Sequence, residues 1–125
     1  MNDDHRIWGV RGAAQAERNE ADAILDATRG LMSELIDRNE LEPADFVSVI
    51  FTVTDDLDAE FPAVAARELG LDQVPLLCNR EMDVPGAMPR VIRVLAHYYG
   101  PSERGPVHVY VGETQKLRVD LHSAQ

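Results

Sequence analysis

Lysine is almost missing from this chain: of its 12 basic residues only Lys116 is a lysine, and the others are arginines. Taken as a count, that bias reads as base composition, and the many alanines fit it; the positions of the arginines carry more than their number. Cys78 is the sole cysteine, so no intrachain disulfide can form. No apolar run approaches the ~20 residues of a membrane-spanning helix. Met1-Asn2-Asp3-Asp4-His5 is polar and acidic, without the apolar centre of a secretory signal. These features point to the cytoplasm. A basic surface is missing too. The net charge is −10 and the isoelectric point about 4.7, which argues against a nucleic-acid partner. No basic amphipathic helix suggests a membrane partner. His5, His97, His108 and His122 are scattered, without zinc-ligand spacing to one another or to Cys78, so no metal is expected. Gly9-Val10-Arg11-Gly12 lacks both the glycine pattern and the lysine of a phosphate loop.

No repeat, low-complexity stretch or linker divides the 125 residues. One domain over 1–125 is expected, with 1–5 and 119–125 as flexible ends. Apolar content of 45% is enough for an ordinary core. Ile7 to Gly12 reads as a short strand. Asn19 to Arg38 reads as a long amphipathic helix, with Ile24, Leu25, Thr28, Leu31, Met32, Leu35 and Ile36 on one stripe. Asn19 is the expected cap, and Gly30 is expected where the helix packs closely on a sheet. Phe46 to Thr54 is the clearest strand, rich in β-branched and aromatic residues. A short helix follows, with Pro62 in its first turn and Gly70 past its end. Val74 to Cys78, Val91 to Tyr99 and Val107 to Val111 complete the strands. The order β-α-β-α-β-β-β predicts an α+β fold: a single mixed sheet of about five strands with one long and one short helix on one face. Two helices cannot cover such a sheet, so its bare face is expected to be buried by oligomerisation.

Arg93 lies in Pro89-Arg90-Val91-Ile92-Arg93-Val94-Leu95, apolar enough to be a buried strand. A guanidinium there keeps its charge and needs an anionic partner. Arg11 sits between Gly9 and Gly12, and Cys78-Asn79-Arg80-Glu81 is polar where a buried strand should end. Arginines at strand ends beside a Cys/Glu loop suggest a small pocket for a carboxylate-bearing molecule. Taken singly, Cys78 reads first as a buried small residue, Glu81 as a surface charge and Tyr110 as a half-buried strand tyrosine.

Together these segments change that reading. Gly9-Val10-Arg11-Gly12-Ala13, Glu17-Arg18, Thr54-Asp55-Asp56-Leu57, Phe61-Pro62-Ala63, Ala65-Ala66-Arg67-Glu68-Leu69, Val74-Pro75, Cys78, Glu81-Met82-Asp83-Val84, Gly86, Ile92-Arg93-Val94, His108-Val109-Tyr110 and Leu117-Arg118 run in one order from Ile7 to Leu121. In that order and spacing the chain resembles the AroH class of monofunctional chorismate mutases, the small trimeric α+β type. The resemblance implies the rearrangement of chorismate to prephenate in aromatic amino-acid biosynthesis, without a cofactor. It implies Arg93 as the catalytic residue, set against the ether oxygen of the substrate. Arg11 and Tyr110 would bind the side-chain carboxylate, and Cys78 and Glu81 the ring hydroxyl. Leu77, Asn79 and Arg80 belong to the same substrate-binding segment. Phe61, Arg67 and Arg118 would line the mouth. The family forms homotrimers, closed as a pseudo-barrel, with active sites between subunits. Two positions depart from the family pattern: Val64 stands where many members have lysine, and Leu77 where threonine is familiar. Two other readings keep the architecture: a homologue of similar fold with imine-deaminase-like activity, and a silent trimer that only binds a carboxylate metabolite.

Overall fold

The computed structural model describes residues 4–117. Its elements are β1 (His5–Gln15), α1 (Ala21–Arg38), β2 (Phe46–Val53), α2 (Ala63–Ala66), β3 (Leu76–Arg80), β4 (Val91–Pro101) and β5 (Val109–Tyr110). The five strands form one sheet in the order β3-β2-β4-β1-β5. β4 is central and antiparallel to both β1 and β2; β3 joins β2, and β5 joins β1, in parallel. This is the expected α+β mixed sheet.

The register divides the sheet into two faces. Val10, Ala14, Val49, Phe51, Ile92, Val94 and Ala96 are buried under α1, which lays Ile24, Leu31, Met32 and Leu35 on them. Arg11, Ile50, Thr52, Arg93, Leu95 and His97 alternate with these on the other face. That face is open: Ile7, Leu77, Leu95 and Tyr99 stay between 37% and 55% exposed. The apolar run around Arg93 is thus buried on one side only, and Arg93 projects from the other. Gly12 is required where β1 passes beneath the helix. A Cβ there would meet the Val109 carbonyl at 2.7 Å and the Leu31 side chain at 2.9 Å. The missing side chain lets β5, and with it Tyr110, pair beside Arg11.

Several boundaries differ from the sequence expectation. β1 is longer, because its whole length from His5 to Gln15 pairs with β4. Asn19 does not cap α1, which begins at Ala21 behind Glu20. Its side-chain oxygen instead accepts the backbone N–H groups of Asp58 and Ala59, at 3.0 and 3.1 Å, and pins the loop before Phe61. Gly30 faces open space rather than the sheet. β3 starts at Leu76, because Pro75 has no N–H to donate; its carbonyl accepts from Val49. It runs on through Asn79 and Arg80, since an edge strand tolerates polar residues. β5 keeps two residues, because both backbone polar groups of Val107 are bonded to the Asn39 side chain. α2 closes through a π turn, Arg67–Leu71, in which Gly70 takes φ +98°, near the left-handed position expected of it. Residues 1–3 and 118–125, including Arg118 and most of the expected flexible ends, lie outside the described residues. Among the described residues no helix is long and apolar enough to cross a membrane.

Candidate active site

The site is built on the open face, where β1 and β4 bring two arginines together. Arg93 on β4 pairs across to Ala13 on β1 and to Thr52 on β2. Arg11 lies two residues from Ala13 on the same face, so the two arginines are diagonal neighbours. Tyr110 pairs with Ala13 from the other side. The backbone N–H of Arg11 donates to His108 Nδ1 at 3.0 Å, which ties the strand carrying Arg11 to the segment carrying Tyr110. Arg11, Thr52, Arg93 and Tyr110 line a cavity of about 220 Å³ floored by Ile50 and Leu95.

Glu81 approaches from the end of β3. Its backbone N–H donates to the Val53 carbonyl at 2.8 Å. Its carboxylate Oε2 accepts a hydrogen bond from the Thr52 hydroxyl and lies 3.6 Å from Arg93 Nε. That separation supports an ion pair but exceeds a hydrogen bond. Arg93 Nε is buried and has no hydrogen-bond partner, although the guanidinium as a whole is partly exposed. An unmade bond at a buried donor costs about 1–3 kcal/mol, more beside a charge. An anion or polar oxygen entering the cavity would recover it.

A second concavity, about 480 Å³, lies at the α2 side of the sheet. Phe61, Cys78, Asn79 and Arg80 line it. Phe61 is 66% exposed, which is unusual for so large an apolar ring. Arg80 is held by the Asp55 carbonyl at 3.1 Å and its carboxylate at 3.3 Å. Cys78 packs against α2. Burial pushes its thiol pKa up, opposed by the Ala63 backbone N–H and by the charge of Arg67, so the group stays protonated near neutrality. Arg67 itself is exposed on the turn that follows α2.

The expected site residues therefore fall into two groups. Arg93, Arg11, Tyr110 and Glu81 meet on the open face. Phe61, Arg67, Cys78 and Arg80 gather at the groove, with Asn79 on its rim. Leu77 is exposed at the β3 edge, paired with Ile50. Cys78 and Glu81 lie close in the chain but present their side chains differently. Three residues apart on an extended segment, their side chains leave opposite faces. Thr52 was missed. Its signal was a hydroxyl among apolar neighbours, two residues after Ile50 on the face that the strand turns away from the helix.

A family model for chorismate mutase type I matches residues 7–121. The chain belongs to that family. It is 47% identical over 121 residues to the chorismate mutase AroH of Thermus thermophilus, covering 95% of this chain and 99% of that one. It is 39% identical over 117 residues to the chorismate mutase AroH of Bacillus subtilis strain 168, covering 92% of each. A solved chorismate mutase from Clostridium thermocellum superimposes with a TM-score of 0.82 at 41% identity, over 87% of this chain and 98% of that one.

Proposed function

We propose that the chain is a chorismate mutase that converts chorismate to prephenate in phenylalanine and tyrosine biosynthesis, with Arg93 as its catalytic residue. Membership of the type I family supports the activity. The observation that carries the site is the unbonded, buried Nε of Arg93, in a cavity shared with Arg11 and Tyr110.

The reaction is a one-step [3,3] rearrangement within one molecule, and it needs no nucleophile or obligatory proton transfer. As the carbon–oxygen bond breaks, negative charge grows on the ether oxygen. A fixed guanidinium beside that oxygen holds the transition state more tightly than the ground state, which is the condition for raising kcat. Arg11 and the Tyr110 hydroxyl bind the side-chain carboxylate and keep the substrate folded in a compact chair. Glu81 accepts from the ring hydroxyl. An acceleration of ~10⁶ requires roughly 8 kcal/mol. One placed donor supplies about 3–4 kcal/mol of it. Orientation must supply the rest, so Arg93 is necessary but not sufficient.

The remaining residues are supplied by a neighbouring subunit. In this reading three copies close their open faces on one another, and the groove with Phe61, Arg67 and Cys78 of one copy completes the Arg93 cavity of the next. The exposed Ile7, Leu77, Leu95 and Tyr99 support that burial. Residues 1–125 act as one domain, in the cytoplasm. The test is ultraviolet loss of chorismate, run beside sedimentation equilibrium. Turnover by a particle of about three times the 13.9 kDa chain mass is expected. A folded particle of that size that leaves chorismate unchanged would overturn the activity. A fully active monomer would overturn the shared site.

A further inference from the structure

We propose that Thr52 is a positioning residue that keeps the Glu81 carboxylate off Arg93 and so leaves the guanidinium free for the substrate. This rests on the chorismate mutase reading and adds a residue that the reading itself does not name.

The contest is over one oxygen. Oε2 of Glu81 has two donors within reach: the Thr52 hydroxyl, which is bonded to it, and Arg93 Nε at 3.6 Å, which is not. A charge-assisted hydrogen bond between guanidinium and carboxylate settles at about 2.7–2.9 Å. Glu81 therefore stops short of Arg93 by less than one ångström. Two bonds account for this. The Glu81 backbone is fixed to Val53 on β2, and its side chain to Thr52 on the same strand. Thr52 sits directly across from Arg93 in the β2/β4 register, so its own position is set by the sheet. Arg93 Nε pays for the arrangement by staying buried and unbonded.

Without the hydroxyl, Arg93 Nε is the nearest donor left to Oε2. The carboxylate then closes on it. The positive field at the place of the ether oxygen is partly cancelled, and the donor meant for the developing charge is already used. Such a collapse weakens the transition state more than the ground state, because the substrate's side-chain carboxylate is still held by Arg11 and Tyr110. It lowers kcat and leaves KM nearly unchanged.

The test is steady-state turnover of chorismate by Thr52→Val and Thr52→Ser in the full chain, normalised to folded protein. The Val variant keeps the shape and removes the hydroxyl. A fall in kcat of about tenfold or more, from losing one hydrogen bond to a charged group, is expected with KM changed by less than about threefold. Thr52→Ser restores most of that loss. The ¹⁵N–¹H resonance of Arg93 Nε supplies a readout independent of turnover. In Thr52→Val it should move downfield and exchange more slowly with solvent, as a bonded N–H does. A double-mutant cycle ties the effect to Glu81: in a Glu81→Gln background Thr52→Val should cost little more. Full turnover by Thr52→Val, an unchanged Arg93 Nε signal, or additive losses in the cycle would each refute the positioning role. An inactive parent that binds no chorismate sinks the chorismate mutase reading instead, and the resonance still reports on Thr52.

Discussion

The cavity around Arg93 and the groove beside Phe61 are made of different material. The cavity stands on four paired strands, and its polar groups are set by register: Arg93 opposite Thr52, Tyr110 opposite Ala13. The groove has one wall of strand residues, Val53 and Cys78 to Arg80, and another made by the 57–62 loop before α2, which Asn19 pins to the segment ahead of α1. The cavity holds two arginines and a buried donor with nothing bonded to it. The groove offers an exposed aromatic ring, a neutral thiol and an arginine already paired to Asp55. Charge stabilisation needs atoms fixed to fractions of an ångström, and the sheet supplies that. Enclosure needs only surface, and loops supply it well enough. The cavity should therefore govern kcat, and the groove mainly KM.

The largest expected effect is at Arg93. Replacing it by citrulline removes the charge and keeps the shape. This should cost roughly 3–4 kcal/mol in kcat/KM with little change in thermal stability. Arg93→Lys should also be poor, because a point charge on a flexible stem does not reproduce the planar fork. Near-normal turnover by Arg93→Lys would remove Arg93 from its role and the cavity from its primacy.

The next test asks whether the two regions belong to one site. Arg93→Ala spoils the cavity, and Phe61→Ala with Arg67→Ala spoils the groove. If each site takes its two halves from different subunits, co-expressing the two impaired chains restores about a quarter of the sites by random assembly, read as kcat/KM at low substrate. Activity no greater than the average of the two parents would show that each chain carries its own site.

Much of this architecture was legible before any coordinates. The five strands and both helices follow from apolar alternation and turn residues; Arg11 and Arg93 were expected at strand ends, and they lie instead inside β1 and β4 as diagonal neighbours. The open face was legible as a shortage of helix. Three things were not. Asn19 reads as a cap because local chemistry favours it, and only the distant 58–59 loop offers its amide better partners. Thr52 reads as one more β-branched residue until the register sets it across from Arg93. The opposite facing of the Cys78 and Glu81 side chains follows from their odd spacing once the segment is known to stay extended through Arg80.

A smaller effect is expected at Cys78. Burial keeps the thiol protonated, which is unfavourable for a nucleophile. Cys78→Ser should keep most of kcat, and Cys78→Ala should raise KM moderately. Mass spectrometry during turnover should find the unmodified chain mass; a covalent adduct would contradict a pericyclic step.

The smallest effect separates short-range from long-range electrostatics. The substrate is a dianion, yet each chain carries −10, so the proposed trimer would carry about −30. At long range the particle repels its ligand, while within the cavity Arg11 and Arg93 attract it. Salt screens the first more than the second, because exposed charges beyond a Debye length of ~10 Å at 0.1 M are largely shielded. kcat/KM should therefore rise or stay flat from very low to moderate ionic strength, and fall only when the cavity contacts themselves weaken. Val64 sharpens the expectation. It is half-buried on α2, the helix that follows the groove loop. Val64→Lys should offset part of the repulsion, lower KM more than it changes kcat, and blunt any gain with salt. The measurement is kcat/KM against ionic strength for both proteins. A steep fall in the parent from the lowest salt onward would mean that local attraction dominates at every distance, and the cavity would then steer its substrate as well as transform it.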